Sequence, residues 1–335
     1  MSRPTSTLTA LAALAVLVLA AGCSPAPGLD QASVAGAASR KGGSAPVSPF
    51  WVDPDSLAAR QAERWRREGR AGDAEVLRRI ADRPAALWPA GETDPAPVVR
   101  AAAAAARGAG QSAVLVAYNI PHRDCGQHSA GGAVDADAYR AWIGSFADAL
   151  GDAEALVVLE PDAVAHVVDG CTPGEYRAER EGLLAEAVAR LKRQPGTRVY
   201  LDAGNPSWIQ EPANLVEPLR RAGVDAADGF ALNVSNFQTN DITKAYGLRL
   251  SRELGGKHFV VDTSRNGNGP LADVWCNPSG RALGTPPTTD TGEPSLDAYL
   301  WVKRPGESDG TCEGGPAAGR WWPEYALALA RNSAS

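Results

Sequence analysis

Ala155-Leu156-Val157-Val158-Leu159-Glu160-Pro161-Asp162 runs an unbroken apolar stretch into two carboxylates separated by a proline. A stretch apolar at every position, rather than at alternate ones, marks a strand buried on both faces, as in a parallel sheet. Pro161 fixes its own φ and removes a donor, so it stiffens the turn that aims Asp162. The layout recurs. Val114–Ala117 leads to Tyr118-Asn119 and then Arg123-Asp124; Val199–Leu201 stops at Asp202; Phe230–Leu232 reaches Asn233. Phe259–Val261 reaches Asp262, and Tyr299–Val302 reaches Lys303, Glu307 and Asp309.

Between these runs lie helical patterns. Ser56–Arg67, Ala74–Ala81 and Pro97–Ala106 come first, then Asp135–Leu150, Tyr176–Arg193, Asn214–Arg221, Thr243–Leu254 and a closing Pro323–Arg331. With Ala86–Trp88 as a further strand, about seven strands alternate with helices, and parallel α/β is the class this predicts. A β/α barrel places its chemistry where the strands end, so carboxylates at most of those ends point to an acid/base hydrolase. From Thr263 to Asp297 the expected helix is replaced by a Gly/Pro/Asn/Thr-rich stretch containing Trp275-Cys276. Long structureless loops in compact domains tend to be functional.

The chain has 335 residues, a net charge of −6 and no basic blocks, which argues against nucleic acid as a partner. Nine Trp against five Phe leans towards carbohydrate, whose apolar ring faces stack on indole, although Trp is also a core residue. After Arg3 an apolar stretch, Leu8–Ala21, is too short for a comfortable membrane span and reads as an export signal over residues 1–22. It ends Leu19-Ala20-Ala21-Gly22-Cys23, which resembles the bacterial lipobox, in which the Cys is acylated; ordinary cleavage after small residues is the alternative. Residues 23–48, rich in Ala, Gly, Ser and Pro, form a tether, and residues 49–335 the catalytic domain. The expected location is extracellular or on the cell surface as a lipoprotein.

Setting Cys23 aside leaves Cys125, Cys171, Cys276 and Cys312, two disulfides in an exported chain, with three connectivities open. No Cys pair has zinc-site spacing, and His122, His128, His166 and His258 show none either, so no metal is expected. Asp124 beside Arg123 would ordinarily be an ion pair, and Asp262 with Arg265 another, with sugar contact by Arg265 as the alternative. Glu160 is expected to accept backbone hydrogen bonds rather than transfer protons. Two carboxylates across a barrel mouth raise one another's pKa, which makes an acid able to protonate a leaving group near neutral pH.

Taken in order, Tyr118…Arg123-Asp124-Cys125, Leu159-Glu160-Pro161-Asp162, Tyr200-Leu201-Asp202-Ala203-Gly204, Asn233-Val234-Ser235-Asn236-Phe237 and Lys303-Arg304-Pro305-Gly306-Glu307-Ser308-Asp309-Gly310 resemble glycoside hydrolase family 6, the inverting cellulases. The resemblance runs from about Phe50 to Asn332. It implies a distorted, incomplete parallel α/β barrel of about seven strands that cleaves β-1,4-glucosidic bonds with inversion. Asp162 matches the general acid, Asp124 the Asp that raises the acid's pKa, and Asp309 the proposed base, acting directly or through a second water. Asp202 matches a supporting active-site Asp. Tyr118 matches the Tyr against the distorted sugar; Trp51, Trp208 and Trp275 fall at or near stacking positions. Lys303 and Glu307 match hydroxyl-binding residues, with Asn233 a further binding candidate. Cys125–Cys171 and Cys276–Cys312 match the family's pairs. Many members have His where this chain has Asn205, which puts sugar binding beside the cleavage site in question. The connections after Gly126 and Thr263 are too short to roof a tunnel with two loops, which favours an endo-acting enzyme with an open cleft, a monomer needing no cofactor. The alternatives are an exo-acting cellobiohydrolase and a non-catalytic polysaccharide-binding protein.

Overall fold

In the computed structural model, which describes residues 48–91 and 93–333, the six apolar runs pair into one sheet. The strands are β1 Ala113–Ala117, β2 Ala155–Leu159, β3 Thr197–Asp202, β4 Gly229–Leu232, β5 His258–Asp262 and β6 Leu296–Leu300. They lie in chain order and every pairing is parallel. The proposed leader, tether and Cys23 lie outside the described residues.

Alternate residues along each strand enter different cores, which is why the runs are apolar throughout. Leu115, Val157, Leu159, Val199, Leu201 and Phe230 face the helical layer. Val114, Val116, Leu156, Val158, Tyr200, Val260 and Leu300 face the inside of the curled sheet, with Phe50 and Val302. The outer layer is α3 Ala96–Gly108, α4 Ala136–Leu150, α6 Gly174–Leu191, α7 Ala213–Arg221 and α8 Asn240–Glu253. A third cluster joins α1 Leu57–Arg67 and α2 Ala71–Ala81 to α9 Pro323–Asn332 around Trp65 and Trp301. Ser56 and Asp135 accept the N–H groups of Ala59 and Ala138, the capping role that starts α1 and α4.

The structure departs from the expected strand count. Ala86–Trp88 is not a full strand; it makes one isolated bridge, Leu87 to Leu115, and Ala90 beyond it makes another to Tyr118. Pro84 and Pro89 flank it, and a proline cannot donate to a ladder. The segment still joins the two sheet edges. Ala86 N donates to Trp301 O at 2.9 Å, while Leu87 N donates to Val114 O at 3.0 Å. The barrel is therefore incomplete, a curled half-barrel laced shut by a few bonds. One short helix, α5 Ala165–Val168, escaped the sequence reading because a single turn has no period to detect.

Candidate active site

The carboxylates at the strand ends fall into two groups. The first straps the exits of neighbouring strands together. Glu160, fully buried at the end of β2, accepts the N–H groups of Asn119 and Ile120 beyond β1, each at 2.9 Å. Asp202, at the end of β3, accepts from Asp162 N at 2.9 Å and from Gly204 N at 3.1 Å. Asp262, at the end of β5, accepts from Ser235, Ser264, Val302 and Lys303, tying together the exits of β4, β5 and β6. Burial raises the pKa of all three, to about 7 for Glu160 and Asp202, against the opposing pull of the N–H donors.

The second group faces a cleft of about 780 Å³ at the same end of the sheet. Asp124, Asp162 and Asp309 all line it, with Trp88, Tyr118, Trp208, Trp275, Lys303 and Glu307. Asp162 follows the strap residue Glu160 by one proline and adopts φ +71°, a left-handed conformation that Asp tolerates better than most residues. Glu160, Asn233 and Ser235 also have positive φ, so local strain gathers where the strands enter the site. Burial, then the charges of Asp202 and Asp124, push the Asp162 carboxyl well above the ordinary range, with Lys303 pulling the other way.

Asp124 starts a tight turn with φ +55° and accepts Ser129 N at 2.6 Å. The Cys125–Cys171 disulfide anchors this turn. Arg123 does not pair with Asp124; it donates to Tyr118 O and Ser129 O and lies 4.4 Å over the Tyr118 ring. The negative charge of Asp124 is thus left to act on Asp162.

Asp309 is different again. Arg265 Nη1 donates to Oδ2 at 2.8 Å, Lys303 Nζ lies 3.2 Å from Oδ1, and Asn277 N donates at 3.0 Å. Burial alone would raise its pKa, but the two cations and the N–H overcome that and hold it below the ordinary value. The Cys276–Cys312 disulfide holds the long loop after β5 against the Asp309 segment. A Cβ at Gly310 would sit 2.6 Å from the His128 ring, so a larger residue there must displace that side chain. The site therefore contains one carboxyl biased to be protonated and one biased to be ionised, the division of labour that acid-assisted hydrolysis needs.

The family model for Glycosyl hydrolases family 6 matches residues 46–333. The chain belongs to this family. It is 44% identical over 293 residues to Endoglucanase A of Cellulomonas fimi, covering 86% of this chain and 62% of that protein, less than two thirds of its length. It is 42% identical over 340 residues to Endoglucanase 1 of Streptomyces halstedii, covering 98% and 99%. Among solved structures, the endoglucanase Cel6 from Mycobacterium tuberculosis, in complex with methyl-cellobiosyl-4-deoxy-4-thio-β-D-cellobioside, matches with a TM-score of 0.80 at 44% identity, covering 86% of this chain and 98% of that chain. The protein is a glycoside hydrolase.

Three of the expected binding residues of this family 6 hydrolase do not line the cleft. Trp51 packs, half-buried, against the main core. Asn233 is fully buried and bonds to Gln238 and Asp262 O, a loop-shaping role. Asp202 lies behind Asp162 as its strap. Arg265, weighed as a sugar contact, is fully buried against Asp309. Trp88, which the sequence predicts only as a strand residue, lines the cleft, edge-on to Tyr118 at 5.5 Å, with its indole N–H on Val302 O at 2.7 Å. Its position at the end of an apolar run was the signal that could have found it. Asn205 also lines the cleft; its Oδ1 accepts from Ser207 N, Ser207 Oγ and Trp208 N. It shapes the turn that presents Trp208, whose indole N–H is held by Asp169 at 2.9 Å.

Proposed function

We propose that this chain is an inverting endo-β-1,4-glucanase acting on cellulose or a related β-glucan. Asp162 gives its proton to the glycosidic oxygen as the C–O bond breaks; water attacks the anomeric carbon from the opposite face and its proton passes to Asp309, directly or through a second water. The observation that carries this reading is the opposite bias of Asp162 and Asp309 within one cleft. Asp309, paired with two cations, is a weak base, so protonation of the leaving group is the larger contribution. Asp124 and Asp202 keep the proton on Asp162. Trp88, Tyr118, Trp208 and Trp275 supply stacking faces, and Lys303 and Glu307 bind hydroxyls.

Endo action is supported by relatives named endoglucanases at 42–44% identity and by an open wall: Trp275 is 45% exposed. The Leu8–Ala21 stretch and the Cys23 motif support export with a lipid anchor on Cys23, the enzyme acting as a monomer. On carboxymethylcellulose the protein is expected to drop viscosity before much reducing sugar appears, and to release α-anomers first. A β-anomer as the initial product rejects inversion; cellobiose as the near-exclusive early product rejects endo action.

A further inference from the structure

His166 is a cleft-lining side chain that the hydrolytic reading does not use. It follows Asp162 by four residues, and its N–H donates to Asp162 O at 2.9 Å, closing the turn between them. The residue is only 5% exposed, and its Nε2 has no hydrogen-bond partner among the described residues. That nitrogen lies 4.0 Å from Asp124 Oδ1. One ligating atom each from Asp124, Asp162 and His166 lies within 4.8 Å of the other two. On the far side of the ring, Nδ1 is 3.4 Å from Asp169 Oδ2. With its proton on Nδ1, directed at Asp169, the ring turns an Nε2 lone pair towards two carboxylates. A carboxylate behind a histidine whose other nitrogen faces acidic ligands is the arrangement that orients imidazole on a metal. The neighbouring cations are engaged elsewhere, Arg123 on backbone carbonyls, Lys303 on Asp309, and Arg180, which also acts on His166, on Thr172 and the carbonyls of Pro121 and His122.

We propose that Asp124, Asp162 and His166 bind one divalent transition cation of the zinc class, and that its binding switches hydrolysis off. One imidazole and two carboxylates suit such an ion, and the cleft leaves a further position for water. Asp162 binds as the carboxylate and releases its proton to solvent, so it cannot protonate a leaving group while the cation is held. The inhibition rests on the proposed role of Asp162; the binding does not.

Zinc chloride titrated calorimetrically into the protein tests this without turnover. One equivalent is expected at this site, with affinity falling tenfold or more in His166→Asn and severalfold in Asp169→Asn. The exposed His258, paired with Asp297, is the control, and His258→Asn should leave that affinity in place. Circular dichroism and melting of each variant establish that it is folded; Asp124→Asn, which must also weaken binding, serves should His166→Asn misfold. Zinc should inhibit carboxymethylcellulose hydrolysis reversibly, with recovery on chelation. Equal affinity in wild type and His166→Asn, or loss confined to His258→Asn, overturns the site. Tight binding at His166 without inhibition overturns the switch. An inactive protein that binds zinc as described overturns the hydrolase reading and leaves the site standing.

Discussion

Asp162 and Asp262 are both aspartates at the exits of parallel strands, yet they do opposite work. Asp262 has its two oxygens filled by four backbone N–H groups and holds three loops together. Asp162 has its own N–H held by Asp202 and faces the cleft beside Asp124. Filled by backbone donors, Asp262 is structural; left among other carboxylates, Asp162 becomes an acid. The strand-end pattern in the sequence contains both kinds without distinction.

The largest effect expected is on catalysis. Asp162→Asn should lower turnover on carboxymethylcellulose on the order of a thousandfold, the usual weight of a general acid. It should not lower stability at neutral pH. A carboxyl whose folded pKa is raised contributes its full stability below the unfolded value and loses it as pH rises through the folded one; Asn stays neutral throughout. Asn also tolerates the positive φ there. Reducing-sugar assays beside calorimetric melting check both halves, and a large fall in melting temperature would erase the contrast between the two aspartates.

The converse substitution, Asp262→Ala, strands four N–H groups. At about 1 kcal/mol each it should cost about 4 kcal/mol of folding stability. Denaturant unfolding measures this; a loss under 1 kcal/mol would mean the loops hold without their strap.

The smallest effect sharpens the boundary between the groups, because Asp202 belongs to both. It straps Asp162 N, and after burial it is the largest charge raising the Asp162 pKa. Asp202→Asn keeps an acceptor but removes that charge. The alkaline limb of kcat/KM, where the acid loses its proton, should therefore move to lower pH, with Asp124, Asp169 and Lys303 still acting on Asp162. A pH profile identical to the wild type would reduce Asp202 to a strap alone.

Much of the architecture was legible because a parallel strand buried on both faces must be apolar at each position. Five of the runs lie within strands, Ala155–Leu159 with the same bounds, while Tyr299–Val302 overlaps β6 only at Tyr299 and Leu300. Ala86–Trp88 misled because apolar content says nothing about donors, and Pro89 supplies none. At the site, motif order pointed to Asp124, Asp162 and Asp309, which share the cleft, but chain position could not distinguish Trp88, which lines it, from Trp51, which packs against the core.

By itself the sequence determined that apolar runs would stack in parallel and that carboxylates would end several of them, since burial and turn chemistry are local properties of composition and spacing. Only the tertiary structure decided which carboxylates meet backbone donors and which meet each other. That choice turns on distances between loops far apart in the chain. It makes Asp262 a strap, leaves Asp162 poised to hold a proton, and turns His166 towards Asp124 and Asp162.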